Sequence, residues 1–220
     1  MLVYHAVAEV DPRDDPHRLA TSPRHLRSHL RLLRRLGYRF ATAGDLAVPA
    51  RGLAALTFDD GWRDALETVV PALHEAGARA SFYVCPGWWG GEHPELGGAA
   101  GALLTEPEVA ELAGLGMEIG SHSLSHRDLR SLGDAELAAE LRDSKREIER
   151  VTGAPCRTFA YPYGLRDARV VAAVAEAGYE LALAWGPGPW RPLEAPRLPA
   201  PPRGGAAALA LKLAGIRRRP

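Results

Sequence analysis

Two short clusters carry most of the reactive side chains. Thr57-Phe58-Asp59-Asp60-Gly61 ends the apolar run 53–58, and Ser121-His122-Ser123-Leu124-Ser125-His126 follows the run 117–120. Each run reads as a buried strand, so each cluster falls at the C-terminal mouth of a strand, where α/β proteins keep their chemistry. Two imidazoles four residues apart reach one ion if their segment makes a helical turn. One carboxylate then completes a three-ligand set with an open position for water, and the second is free to act as a base. An isolated Asp-Asp-Gly is most often a turn and helix cap, and a lone histidine pair is most often surface. Their joint occurrence at successive strand mouths is what favours metal-assisted hydrolysis.

The elements that must position these residues alternate. A short strand at 2–4 precedes a helix opened by Ser22-Pro23 and closed by Gly37, carrying Leu26, Leu30, Leu33 and Leu36. A helix at 64–76, a strand at 80–85, a helix at 106–115, the strand at 117–120 and a long helix at 134–151 follow. A strand at 159–161, a helix at 167–177 and a strand at 180–185 complete the pattern. Residues 86–104 read as a long loop containing Trp88 and Trp89, and 186–202 as a proline-rich stretch with one apolar fragment near Leu198. Five to seven such units without a glycine-rich phosphate loop favour a (β/α) barrel, complete or distorted, over a dinucleotide-binding sheet.

With 220 residues, 46% of them hydrophobic, the chain is expected to form one large domain over 1–205 and a helix-like tail over 206–220. Lys plus Arg and Asp plus Glu number 27 each, so nothing favours nucleic acid or an anionic membrane; the basic Arg217-Arg218-Arg219 reads as a solvated end. Cys85 and Cys156 border apolar strands and read as small packed hydrophobes rather than a disulfide. The start Met1-Leu2-Val3-Tyr4-His5 has no signal-peptide pattern, which makes a cytoplasmic location the expectation, with export if the chain is truncated. No apolar stretch approaches the roughly 20 residues of a membrane span.

In order and spacing, residues 57–61, the His122 and His126 pair and Phe159-Ala160-Tyr161-Pro162-Tyr163-Gly164 resemble the first three motifs of the NodB-type polysaccharide deacetylases, carbohydrate esterases of the family 4 type. Tyr4-His5, Glu118-Ile119-Gly120-Ser121 and Ser144-Lys145-Arg146 extend the resemblance over most of the chain. The Tyr161-Pro162-Tyr163-Gly164 form is closest to a branch resembling poly-N-acetylglucosamine deacetylases. The resemblance implies a distorted (β/α) barrel of about seven strands and one divalent ion, most often zinc, held by Asp60, His122 and His126. It further implies Asp59 as the base acting on water at the ion, the backbone N–H of Tyr163 as oxyanion donor, and Ser123 as support for the histidine loop.

Two departures from the family pattern stand out. Where many relatives carry an arginine that orients the catalytic aspartate, this chain has Ala160; Arg197, in Ala195-Pro196-Arg197-Leu198-Pro199, is the expected substitute through a bidentate contact with Asp59. No histidine follows His126, so the leaving nitrogen must take its proton from Asp59, His5 or water. Trp88, Trp89, Tyr161 and Tyr163, with Pro162 between the tyrosines, are the candidates for contact with sugar rings. His74 and His93 have no motif support. The expected activity is removal of N-acetyl, less readily O-acetyl, groups from a glycan or small amino sugar. The alternatives are hydrolysis of another C–N bond, such as a cyclic imide, and a carbohydrate-binding protein without turnover.

Overall fold

The computed structural model describes residues 1–46, 48, 50–96 and 101–217. Seven parallel strands close into a barrel: β1 (Leu2–Tyr4), β3 (Leu53–Phe58), β4 (Ser81–Val84), β5 (Glu118–Ser121), β6 (Thr158–Ala160), β7 (Leu181–Trp185) and β8 (Ala195–Pro199). β1 lies between β8 and β3, pairing Leu2 with Leu198 on one side and with Leu56 on the other, which shuts the ring. An eighth strand, β2 (Arg39–Ala41), pairs only with Leu53, Ala54 and Ala55 at the lower end of β3.

Helices wrap the outside: α1 (Pro23–Arg35), α2 (Val70–Glu75), α3 (Glu106–Gly114), α4 (Asp134–Thr152), α5 (Ala168–Glu176) and α6 (Gly205–Arg217). The Ser22 hydroxyl caps α1 by accepting from His25 N–H, and Pro23 supplies the pre-set first turn. Leu26, Leu30 and Leu33 then fall on one buried face, as the helical period requires. Gly153, at φ 67°, ends α4 in the left-handed conformation that costs glycine least. The main apolar core lies between these helix faces and outward-pointing strand residues such as Phe82, Val84 and Phe159.

Inside the barrel the two-residue period puts Tyr83, Ala160, Leu181, Leu183 and Ala195 in a smaller cluster. Thr57, Asp59 and Arg197 share that interior and are all buried. Gly120 is required there: a Cβ on it would stand 2.4 Å from the Tyr83 ring.

Several expectations need correction. The proline-rich stretch contains β8, which closes the barrel; its ladder runs through Leu198 N–H to Met1 O and Ala200 N–H to Val3 O, donors that the prolines do not remove. The helix expected at 64–76 begins as a π-helical turn, Ala65–Val69, before α2. His122 and His126 do not lie on a helical turn, as described below. The C-terminal helix packs on α1, with Leu209 fully buried in the main core. Cys85 and Cys156, by contrast, are free and buried, as their reading as small packed hydrophobes requires. Arg218 and Arg219 lie outside the described residues, as do residues 97–100 of the expected loop. Among the described residues, no helix is long and apolar enough to cross a membrane.

Candidate active site

β3 delivers two adjacent carboxylates that part company at its end. Asp59 keeps the inward direction set by Thr57, whereas Asp60 has φ 74° and Gly61 φ 80°, so the chain turns sharply and aims the second carboxylate across the mouth. Asp59 is clasped by Arg197: Nη1 donates to Oδ1 at 2.6 Å and Nη2 to Oδ2 at 2.7 Å, while Nη1 also donates to Thr57 Oγ1 at 3.0 Å. Burial would raise the Asp59 pKa, but the guanidinium and then His122 outweigh it and hold the group below the usual carboxylate range. Asp59 is therefore ionised at neutral pH.

Asp60 faces the histidines. Its Oδ1 lies 3.4 Å from His122 Nε2 and 3.5 Å from His126 Nε2, and the three ligand-type atoms all fall within 4.8 Å of one another. His122 Nδ1–H donates to Ala160 O at 2.7 Å, which leaves Nε2 as the atom turned to the carboxylates. Burial opposes charge on His122, yet Asp59 and Asp60 raise its pKa; burial pushes His126 the other way, down to about 3. Ala160, which occupies the place of the family's arginine, thus serves through its carbonyl.

The segment between the histidines is a loop with two non-glycine residues in the left-handed region, Ser123 at φ 65° and His126 at φ 56°. Such residues cost on the order of 1–3 kcal/mol each and persist only when neighbours fix them. Ser123 Oγ accepts from His126 N–H at 3.0 Å. Glu140 of α4 accepts from Leu124 N–H and Ser125 N–H at 2.9 Å each and also from the Ser125 hydroxyl. Nothing in the motif spacing pointed to Glu140; a carboxylate on the helix face that carries Leu137, Leu141 and Ile148 is the signal that could have.

These groups open into a cleft of about 580 Å³ whose lining includes His5, Trp88, Tyr163 and Trp185. Tyr163 and Trp185 are 56% and 45% exposed, so both present apolar faces at the mouth. Tyr163 has φ 56°, and its ring leans on His126 at 4.5 Å. Trp185, at the end of β7, was not singled out from the sequence; an aromatic at a strand mouth was the available clue. Trp88 lies 4.9 Å from the His126 ring.

Three of the expected sugar-contact residues offer little open surface to the cleft. Trp89 is absent from the lining and packs against the main core instead. Pro162 is buried in the first position of a 3-10 turn, and Tyr161, though at the cleft floor, is fully buried with its hydroxyl donating to Leu193 O at 2.8 Å. Neither has a face free for a ring to stack on. His74 is exposed on α2, away from the site.

His93, which no motif marked, is buried beside Asp60, with Nε2 3.4 Å from Oδ2. The Trp62 indole N–H donates to the same oxygen at 3.2 Å. Burial would raise the Asp60 pKa, but the His122 and His93 rings beside it outweigh that and hold the group well below the usual range.

The donor set fits a divalent metal. Two imidazoles and one carboxylate converge at short range, and a neutral His126 needs no deprotonation to ligate.

Comparison with known proteins shows the family and the fold. YxkH of Bacillus subtilis (strain 168) is 24% identical over 195 residues, covering 86% of this chain and 64% of that protein. Chitin deacetylase 1 of Cryptococcus neoformans var. grubii is 28% identical over 131 residues, covering 59% and 25% respectively. The chain therefore spans less than two-thirds of the length of these relatives. Among solved structures, the deacetylase PplD of Streptococcus pyogenes shares the fold with a TM-score of 0.82 at 24% identity, covering 96% of both chains. IcaB from Ammonifex degensii does so with a TM-score of 0.78 at 21% identity, covering 99% of this chain and 96% of its own. The family model for polysaccharide deacetylases matches residues 48–182, from just before β3 to the start of β7, and the chain belongs to that family.

Proposed function

We propose that the protein is a metal-dependent deacetylase that hydrolyses N-acetyl groups, and less readily O-acetyl groups, on a carbohydrate. The observation that carries this reading is the division of labour between the adjacent aspartates. Asp60 faces two imidazoles with one oxygen, whereas Asp59 stands beside them, ionised and locked by Arg197. Asp60, His122 and His126 would hold the ion. Zinc best matches that set, and when bound it would supply Lewis acidity and lower the pKa of a water in its open position to about 7.

The chain's own residues would do the rest. Asp59 Oδ2, 3.9 Å from His122 Nε2, faces the reacting region and takes the proton of the attacking water. The Arg197 clasp fixes that oxygen, so little reorganisation accompanies the transfer. Protonated Asp59 then returns the proton to the leaving nitrogen, a role no histidine after His126 can fill in this sequence. The Tyr163 N–H is assigned to the developing oxyanion. The exposed faces of Tyr163 and Trp185, with Trp88 deeper in the cleft, suit a sugar ring.

The direct test is acetate release from N-acetylglucosamine oligomers and acetylated xylan by zinc-loaded protein. Release from the oligomers is expected. Zinc-loaded protein that releases no acetate from either, or that hydrolyses a cyclic imide instead, would overturn the reading.

A further inference from the structure

The segment after β4 is built onto the metal-site end of β3. Trp62 bridges Leu103, Arg63 N–H donates to Ala102 O at 2.9 Å, and Leu104 N–H donates to Gly61 O at 2.8 Å. On the far side of this returning arm, Glu92 bridges Ala102 and His93 N–H donates to Gly101 O at 2.8 Å. The result is a three-ply ribbon whose first ply leaves Asp60 and whose last carries His93. A further bond, Gly87 N–H to Leu124 O at 2.8 Å, ties the start of the segment to the histidine loop.

The His93 ring is fixed on every side. It stacks on Trp62 at 4.2 Å and meets Trp88 edge-on at 5.3 Å. Glu95 N–H donates to its Nδ1 at 3.2 Å, so in the neutral ring the proton sits on Nε2. That Nε2 is buried, makes no hydrogen bond among the described residues, and lies 3.4 Å from Asp60 Oδ2, the nearest carboxylate oxygen given for it. His122 and His126 address the opposite oxygen, Oδ1. Trp62 and His93 are therefore both aimed at the one oxygen of Asp60 that the two histidines leave alone.

We propose that His93 is a positioning residue for the metal: its Nε2–H, with the Trp62 indole, holds Asp60 Oδ2 so that the carboxylate offers Oδ1 alone to the ion. This rests on the reading of Asp60, His122 and His126 as metal ligands. A carboxylate free to swing onto an ion through both oxygens would crowd the position that water needs. One pinned by two donors keeps a single ligand direction and a lower reorganisation cost.

The test measures zinc affinity by competition with a chromophoric chelator, and the visible spectrum of the cobalt form, for wild type, His93→Ala and His93→Gln. His93→Ala is expected to weaken zinc about 10–100-fold, the usual range for loss of a ligand's supporting hydrogen bond. His93→Gln, which keeps a side-chain N–H donor, recovers most of that loss. At saturating cobalt, His93→Ala is expected to shift the bands towards a higher coordination number as Oδ2 joins Oδ1, whereas His93→Gln keeps the wild-type band positions, because the donor and not the imidazole is what the site needs. Unchanged affinity in His93→Ala would overturn the proposal. So would a glutamine variant as weak as alanine, or cobalt bands that move as far in His93→Gln as in His93→Ala, the mark of a lost ligand. Thermal midpoints identify a variant that has merely lost structure, and the glutamine variant, closest in volume, keeps the comparison decisive. Because metal is read directly, a wild type that binds zinc but releases no acetate defeats the deacetylase reading while leaving this one standing.

Discussion

Arg197 on β8 grips Asp59 at the end of β3 with two nearly parallel hydrogen bonds, 2.6 and 2.7 Å long, across 138 residues of sequence. The two strands are separated in the barrel by β1, so the contact spans the interior rather than a neighbouring ladder. A buried guanidinium and a buried carboxylate each need the other: alone, either would carry an uncompensated charge in a low-dielectric interior. The barrel's closing strand and the candidate base are thereby joined in one interaction.

Removing the guanidinium should therefore cost both folding and turnover. Arg197→Gln is expected to destabilise the protein by ~3–5 kcal/mol, as for other broken buried pairs. It should also lower kcat by about 100-fold or more through a misplaced Asp59. Arg197→Lys, which keeps charge but not the fork, should fall between them. Denaturant unfolding with kcat on the same samples checks this, and equal stability for all three proteins would contradict it.

Glu140 fixes the histidine loop without touching the other site groups. Glu140→Ala leaves the part-buried Leu124 and Ser125 N–H groups without their acceptor, at about 1 kcal/mol each, the low end for an unpaired donor because water can reach them in part. Zinc affinity should fall as well, because His126 sits at φ 56° and depends on that loop. Melting curves with and without zinc measure both effects. A variant that melts like wild type in both would remove Glu140 from the account.

His29 sets an acid limit on stability. It is fully buried on α1, its Nδ1 3.1 Å from the Tyr4 hydroxyl, and burial pushes its pKa from 6.5 down to about 4. Between those values the unfolded chain binds the proton and the folded one does not. The contribution is thus fully present above about pH 6.5 and lost as pH falls towards 4, amounting to ~3 kcal/mol. Replacing the pair by Tyr4→Phe with His29→Leu should flatten that slope in denaturant unfolding at pH 7 and 4.5. An unchanged slope would assign the acid loss elsewhere.

Much of this could be read before the structure. The runs ending at Phe58 and before Ser121 are continuous apolar segments followed by chemistry-bearing residues, and both became barrel strands with those residues at the mouth. β8 was not legible, because Pro196 and Pro199 remove ladder donors and read as loop; only the surrounding strands make five such residues a strand. The geometry between His122 and His126 was also hidden, since left-handed serine and histidine carry no sequence mark without the Glu140 contacts that enforce them. His93 lay beyond reach for a related reason. Its place beside Asp60 follows from backbone pairing of residues 91–93, 101–104 and 61–63, which spacing alone does not encode.

The central claim is that Asp59 moves the proton while Asp60, His122 and His126 hold the metal. The measurement that tests it most directly compares acetate release and bound zinc in wild type, Asp59→Asn and His122→Ala on N-acetylglucosamine oligomers. One zinc per chain is expected in wild type and in Asp59→Asn, with turnover in that variant reduced ~10²–10⁴-fold, the usual share of a general base. His122→Ala should lose both metal and turnover. Full activity in Asp59→Asn, or zinc retained at wild-type affinity by His122→Ala, would contradict it.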